Sequence, residues 1–248
     1  MGEWAEEIPD YAIDLARAFW PGPMTLILNR SELAKDFVTG NQNTVGIRVP
    51  NQTLALQLLN EFSKIGGKGI AAPSANRFGQ VSPTTAEAVR EEIGDFLNDT
   101  DQIINDGPCA VGIESTIINC TTKSPEILRP GFITVQMVAE STGLKVTAPN
   151  TDIRVSGNLQ SHYAPNAKVE INKTPQPGEG LMALSSIKTP EGVIRLSSPN
   201  TLEEFARDLY QAMRLADLKG LAKISIQVPE GDGLATAILD RVQKAANS

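Results

Sequence analysis

The sequence predicts an α/β protein in two parts, because short apolar strands alternate with amphipathic helical patterns on both sides of a polar stretch. The polar stretch covers residues 146–158 and contains proline, asparagine and glycine, a composition typical of a linker. It divides the 248 residues into two parts of ordinary domain size. We therefore predict a first domain over residues 1–145, a linker over 146–165 and a smaller second domain over 166–248.

The first part is predicted to start within a helix that ends near Phe19, because Pro21-Gly22-Pro23 stops it. Thr84 and Glu87 have the spacing of a capping box, which predicts the start of a helix that runs to residue 93. Apolar periodicity predicts the other elements, with a helix over 54–62, a turn and then a short helix within 131–140, and strands over 24–28, 44–49, 69–73, 103–104 and 115–118.

The second part has the pattern of a parallel sheet covered by helices. Thr201 and Glu204 form a capping box at the start of a helix predicted to end at Lys219, where Gly220 provides the stop. Apolar runs predict strands over 169–171, 181–184, 193–196 and 224–228, and a last helix over 234–246.

Composition excludes several classes of protein. No apolar run reaches about 18 residues, so no membrane span is expected. The net charge of -7 argues against a general nucleic-acid binder. Two cysteines and one histidine fit neither a zinc site nor a disulfide framework. The acidic start is unlike a secretory signal, and a cytoplasmic protein is expected.

Arg48 is the first candidate for a binding residue. It lies on the face of its predicted strand opposite Val45, Ile47 and Val49. An arginine on an inward face needs an anionic partner or a cavity, and its planar fork suits a carboxylate or a phosphate. The alternative is an exposed arginine on an edge strand.

Small polar residues follow the strand predicted over 69–73. Ser74, Asn76 and Ser82 could donate hydrogen bonds to a phosphate or a ribose, since ligands of α/β sheets bind beyond the carboxyl ends of strands. The alternative is a turn rich in serine, asparagine and glycine.

Three later segments also leave alternatives open. The glycine-punctuated loop over 107–117, which contains Ser115, could bring backbone N–H groups to an anion or form a hairpin. Arg129 could hold a phosphate or end a strand. His162 and Tyr163 stand at the end of the predicted linker, where packing is the simpler role. Cys109 is predicted to be a packed residue, because no histidine lies near it in sequence.

Taken in order, six short motifs resemble the YrdC-like family, and more closely its two-domain threonylcarbamoyl-AMP synthases. The motifs are Trp20-Pro21-Gly22-Pro23-Met24-Thr25-Leu26, Gly46-Ile47-Arg48-Val49-Pro50, Ala72-Pro73-Ser74-Ala75-Asn76, Asp106-Gly107-Pro108, Glu114-Ser115-Thr116-Ile117 and Leu128-Arg129-Pro130-Gly131. His162-Tyr163-Ala164-Pro165 resembles a stretch in the linker of those synthases. The resemblance covers nearly the whole chain.

The resemblance implies a YrdC-like twisted mixed sheet with helices and a Rossmann-like second domain. It implies that L-threonine, bicarbonate and ATP, with Mg²⁺, are converted into threonylcarbamoyl-AMP and pyrophosphate, and that the product serves tRNA N6-threonylcarbamoyladenosine. tRNA or tRNA-modification proteins are expected partners, and no membrane is.

Residue roles are also implied by the resemblance alone. Arg48, Ala72 (through its backbone) and Ser115 would contact threonine. The nucleotide would be bound by Thr44, Ser74, Asn76, Ser82, Arg129 and Tyr163, with the linker closing over it beside His162. No side chain is expected to act as a nucleophile, and none as a metal ligand.

The sequence departs from the family pattern at its start. The family's Thr-Glu-Thr-x-Tyr-Gly-Leu-like stretch and Lys-x-Arg-like motif do not occur here. We therefore expect this chain alone to be impaired, since those charged contacts would each contribute about 1.5 to 3 kcal/mol.

Other functions remain open at this point. One is carbamoyl transfer in hydrogenase maturation, which uses zinc-finger and acylphosphatase-like modules that this sequence does not contain. Another is a non-catalytic RNA-binding module, which the charge of -7 disfavours. A third is an inactive fragment.

Overall fold

The computed structural model describes residues 1–149, 153–157 and 163–247. Its regular elements confirm the predicted α/β class. In chain order they are α1 (Asp10–Phe19), β1 (Met24–Asn29), α2 (Asp36–Thr39), β2 (Thr44–Ile47), α3 (Thr53–Lys64), α4 (Ala86–Ile93), a 3₁₀ helix (Gly94–Phe96), β3 (Thr116–Asn119), β4 (Glu126–Arg129), α5 (Val135–Thr142), β5 (Lys168–Ile171), β6 (Gly180–Met182), β7 (Ile194–Ser197), α6 (Leu202–Leu218), β8 (Lys223–Ile226) and α7 (Leu234–Ala246).

These elements belong to two compact units, each made of two chain segments. The first unit combines Met1–Ala72 with Glu114–Asn158, and the second combines Pro73–Ile113 with Leu159–Ser248. The second unit therefore contains α4 together with the whole C-terminal sheet. The domain limits predicted at residues 145 and 166 stay a prediction.

The first unit is built on a mixed four-stranded sheet in the order β2-β1-β3-β4. The central pair β1–β3 is parallel, and the two outer pairs are antiparallel. One face packs against α1 and α5, where Leu26 and Ile118 meet Leu15 and Val138 in a buried apolar core. This core leaves the opposite face of the sheet to the polar residues described below.

The second unit is built on a parallel sheet in the order β5-β8-β6-β7, which confirms the parallel strands expected in the second part. Helices α6 and α7 cover it with apolar side chains that are almost completely buried, such as Phe205, Leu209, Ile238 and Val242. Among the described residues, β5, β6 and β7 follow one another without a helix, and strands alternate with helices only from β7 to α7.

Two predicted strands are wrong. Residues 69–73 and 103–104 are irregular, and Ile70 and Ile104 are 48% and 58% exposed. Within the described part of the chain, neither segment pairs with a neighbouring strand. An apolar segment forms a strand only where a neighbouring strand completes its backbone hydrogen bonds. The apolar periodicity of the segment does not show whether such a neighbour exists.

One cap is displaced and one strand was missed. Thr85, not Thr84, caps α4, because the Thr85 side chain accepts a hydrogen bond from the Ala88 N–H. The capping-box spacing favoured Thr84, because Glu87 follows it by three residues, but the cap that forms uses the Thr85 hydroxyl without a Glu partner at Ala88. Strand β4 was not predicted, and its Arg129 end pairs with Ile117 of β3.

The α6 cap gives a direct stability prediction. The Glu204 N–H donates to Thr201 Oγ1 over 3.2 Å, as the capping box predicted. Replacing Thr201 by alanine should lower the free energy of unfolding by about 1 kcal/mol in urea titrations. Thr201→Ser keeps the hydroxyl and should lose much less. Equal losses in the two variants would contradict a role for the side-chain cap.

Candidate functional site

The sheet face opposite α1 and α5 carries polar and small residues on neighbouring strands. A Cβ atom at Gly46 would lie 3.2 Å from Ile27 Cδ1 and 3.5 Å from Thr25 Cγ2, so the three residues share this face. Arg48 follows two residues after Gly46 and is exposed, which fits the edge-strand alternative considered above. Thr44, at the start of β2, pairs with Asn29. This face therefore carries the hydroxyls of Thr25 and Thr44 beside Ile27, which is 6% exposed and packs in an apolar cluster with Ile117 and Leu128.

Five hydrogen bonds to described residues hold Arg129 beside this face. Its Nε and Nη2 atoms donate to the Ser115 carbonyl oxygen over 3.1 and 2.9 Å, and Nη2 also reaches Ser115 Oγ at 3.2 Å. Its Nη1 atom donates to Ser156 O at 3.0 Å and Ser156 Oγ at 3.3 Å. Ser115 Oγ lies 2.8 Å from Thr25 Oγ1. We call Arg129, Ser115, Ser156 and Thr25 the Arg129 cluster.

The turn after Arg129 is fixed against β3. Thr116 Oγ1 donates to the Ile133 carbonyl over 2.9 Å and accepts from the Ile133 N–H over 3.0 Å. A Cβ at Gly131 would stand 2.6 Å from the Thr116 nitrogen, so only glycine fits there. The Arg129-Pro130-Gly131 turn therefore holds the Arg129 guanidinium in a fixed position. Arg129 as a whole residue is 5% exposed.

A second group of candidates lies in the second unit, around a turn that starts at Asn76. The Asn76 Nδ2 atom donates to Arg77 O at 2.8 Å and to Gln80 O at 3.2 Å. Its Oδ1 atom is buried and accepts no hydrogen bond from the described residues. Ser74 is exposed, whereas Ser82 is buried. A buried amide oxygen with spare capacity suits a ligand donor.

The Asn76 turn is tied to two helices through Glu92 of α4. Glu92 pairs with Arg77 at 3.2 Å and with Arg214 of α6 at 3.1 Å. Burial by itself would raise the pKa of Glu92, but the hydrogen bonds from Arg77 and Arg214 outweigh it and hold the pKa below its ordinary value. Glu92 is therefore a charged, well-satisfied carboxylate at neutral pH.

Tyr163 is 1% exposed and packs inside the second unit. Its ring stacks on Tyr210 with centroids 5.3 Å apart, and the Arg241 guanidinium carbon lies 5.6 Å from its centroid. Packing, the simpler alternative for this residue, is what these contacts describe. His162 lies outside the described residues.

The predicted site residues fall into both units. The first unit holds Thr44, Arg48, Ala72, Ser115 and Arg129, and the second holds Ser74, Asn76, Ser82 and Tyr163. Ala72 is exposed at the end of its segment. Sequence reasoning did not select Thr25 or Ser156 individually. Thr25 could have been found, because it is a polar residue within the otherwise apolar strand predicted over 24–28. Nothing in the local sequence marked Ser156.

The cysteines take no part in these clusters. Cys120 is buried, and burial raises the pKa of its thiol to about 12, so it is an inert core residue. Cys109 is exposed. Among the described residues, no three His, Cys, Asp or Glu side chains are grouped so as to hold a metal ion. None of the described helices has the length and apolarity needed to cross a membrane.

Comparison with known families decides the identity of the fold. Residues 1–131 match the family model of Sua5, YciO and YrdC, described as "Telomere recombination", and residues 133–247 match "Threonylcarbamoyl-AMP synthase, C-terminal domain". The chain belongs to the threonylcarbamoyl-AMP synthase family. The predicted family resemblance is thereby confirmed.

Individual relatives of this family cover almost the whole chain. The threonylcarbamoyl-AMP synthase of Pyrococcus abyssi is 35% identical over 98% of the chain and 75% of its own length. That of Bacillus subtilis is 31% identical over 96% and 73%. The crystal structure of P. abyssi Sua5 complexed with L-threonine superposes with a TM-score of 0.84 at 33% identity, covering 98% of this chain and 76% of that one.

Proposed function

We propose that this chain carries out the synthase reaction, forming threonylcarbamoyl-AMP and pyrophosphate from L-threonine, bicarbonate and ATP. The observation that carries the proposal is the Arg129 cluster, a buried guanidinium fixed beside the hydroxyls of Ser115, Ser156 and Thr25. Family membership indicates which reaction is catalysed, and the Arg129 guanidinium carries the positive charge that would bind a phosphate.

Two of the three substrates, threonine and ATP, are assigned to residues on the sheet face and around the Asn76 turn. We assign threonine to Arg48, the Ala72 backbone and Ser115. We assign ATP to Thr44, Ser74, Asn76, Ser82, Arg129 and Tyr163. The spare acceptor at Asn76 Oδ1 and the exposed face around Gly46 support these assignments.

The reaction needs alignment and charge neutralisation more than a nucleophilic side chain. The threonine amino group and bicarbonate condense to a carbamate with loss of water. A carbamate oxygen then attacks the α-phosphorus, and the bond to pyrophosphate breaks as the new P–O bond forms. Fixed hydroxyls and guanidinium groups hold the reacting atoms in line and stabilise the charge on the phosphates. The buried, inert thiol of Cys120 fits a reaction without a covalent enzyme intermediate.

Mg²⁺ is assigned to the nucleotide rather than to the protein. The candidate residues are hydroxyls, an amide and arginines, and the described residues offer no carboxylate cluster for a metal ion. Such a donor set fits phosphates and does not fit a resident Mg²⁺, which prefers carboxylate oxygens. The product would serve the modification of tRNA to N6-threonylcarbamoyladenosine in the cytoplasm, with tRNA or tRNA-modification proteins as partners.

Calorimetry tests the proposal directly, with and without L-threonine, Mg²⁺ and bicarbonate. We expect ATP binding that threonine strengthens, and pyrophosphate release that requires all three substrates. ATP binding without any response to threonine would argue for a different nucleotide-using reaction. Salt-sensitive tRNA binding without any response to ATP would favour the non-catalytic RNA-binding alternative.

Gly46 offers a sharper test of the sheet face. In Gly46→Val the added side chain would fill the surface beside Thr25 and Ile27, and threonine affinity should fall by about tenfold or more, which corresponds to roughly 1.4 kcal/mol. Gly94 is the matched control, since a Cβ there meets nothing within 4 Å. Unchanged threonine binding in a folded Gly46→Val protein would remove this face from the threonine site.

A further inference from the structure

The Glu92–Arg214 ion pair holds both ends of the segment between two proposed ATP residues, Asn76 and Ser82. Glu92 Oε1 accepts from the Arg77 backbone N–H over 3.3 Å and from Arg77 Nε over 3.2 Å. Glu92 Oε2 accepts from Arg214 Nη2 over 3.1 Å. The same Arg214 nitrogen donates to the Val81 carbonyl over 2.7 Å. Arg77 and Val81 are the first and last residues of the segment.

The pair that closes this arrangement is shielded from water. The Glu92 side chain is 8% exposed and the Arg214 side chain 15%. Shielding strengthens charge-assisted hydrogen bonds and makes the loss of either partner costly. The contact at Arg77 is weaker, because the Arg77 side chain is 59% exposed. Arg214 and Glu92 therefore provide most of the restraint.

Arg214 belongs to the part of the chain that matches the C-terminal family model, whereas Asn76 and Ser82 belong to the part that matches the first model. Two further contacts within the second unit join the same two parts. The Ala164 N–H donates to Gly79 O over 3.0 Å. A Cβ at Gly112 would lie 2.3 Å from Arg207 Cα, so the loop runs directly against the α6 backbone.

We propose that Arg214 and Glu92 are positioning residues for ATP, so that helix α6 of the C-terminal domain sets the geometry of the nucleotide loop. The proposal rests on the proposed synthase function. The hydrogen bonds of Arg214 within the described residues go to the Glu92 carboxylate and the Val81 carbonyl, and it acts on the nucleotide residues through them. Since small displacements of binding groups strongly reduce affinity and rate, ATP binding should depend on this helix.

Replacing Arg214 by methionine removes the guanidinium and keeps an unbranched apolar stem. We expect the Kd for ATP to rise by about tenfold, the effect of one lost charged hydrogen bond, with the Kd for threonine measured without ATP unchanged within about twofold. Arg207→Met is the matched control on α6, since the Arg207 side chain is 47% exposed and pairs with Asp208. It should leave both constants unchanged.

Glu92→Gln separates positioning from long-range charge. Removing a negative charge would strengthen ATP binding if net charge were the cause, whereas loss of positioning weakens it. Weaker ATP binding in both Glu92→Gln and Arg214→Met supports the proposal. Opposite effects in the two variants, or no effect in either, would overturn it. Arg214→Lys keeps the charge without the planar fork, and should also weaken ATP binding if Arg214→Met is too unstable to assay.

Amide exchange distinguishes failure of this inference from failure of the proposed function. If the unaltered chain binds no ATP, the synthase proposal fails, and the ATP role of Arg214 fails with it. If it binds ATP, the amides of residues 77–81 should exchange faster in Arg214→Met than in Arg207→Met. Equal exchange in the two variants would overturn the positioning role while leaving the proposed function intact.

Discussion

Replacing Arg129 by methionine is expected to abolish measurable synthase activity and to lower the free energy of unfolding by about 3 kcal/mol. Arg129 makes five hydrogen bonds, to Ser115 and Ser156, from a position that is 5% exposed. Without them, buried oxygens lose their donors and the proposed phosphate site loses its charge. Urea titrations and pyrophosphate release would measure the two effects.

Two further variants show which property of Arg129 matters. Arg129→Lys keeps the charge, but a single ammonium group does not reproduce the planar fork that reaches both serines. We expect it to recover part of the stability and little of the activity. Arg17→Met is the surface control, because Arg17 is 77% exposed and pairs with Asp14 at 3.5 Å. A loss for Arg129→Met no larger than that of Arg17→Met would contradict the assigned role.

Glu92→Gln is expected to lower the free energy of unfolding by about 2 to 3 kcal/mol at neutral pH. Removing one partner of a buried ion pair costs about 3 to 5 kcal/mol, and the exposure of Arg77 reduces that figure. The amide keeps the shape of the carboxylate while Arg214 loses its charged partner. Urea titrations would measure the loss, with the exposed neighbour Glu91→Gln as control.

The effect of Glu92 should disappear in acid. Its pKa is held below the ordinary value, so its contribution is present above the unfolded-state pKa and is lost as pH falls through the lower folded-state pKa. The unaltered chain and Glu92→Gln should therefore approach equal stability below about pH 4, the ordinary range of glutamate. A difference that stays constant from neutral pH into acid would show that charge is not the cause.

Local patterns were enough for most elements of the second unit. The capping box at Thr201, the glycine stop at Gly220 and the last helix over 234–246 are all reproduced, because caps and periodicity act over a few residues. The strand predicted over 69–73 failed for a non-local reason, since a strand depends on a neighbour that its own residues do not specify.

The candidate site also has features that the sequence predicts and contacts that only the fold brings together. The sequence by itself determined the α/β class and the family, and it proposed Ser115, Arg129, Asn76 and Ser82 as site residues, because short motifs keep their order whatever they contact. Only the tertiary structure decided that Arg129 binds Ser156 and that Arg214 meets Glu92, 122 residues away in the chain. Such pairs form where the fold buries charged groups together, and burial is a property of the packed structure rather than of any local pattern.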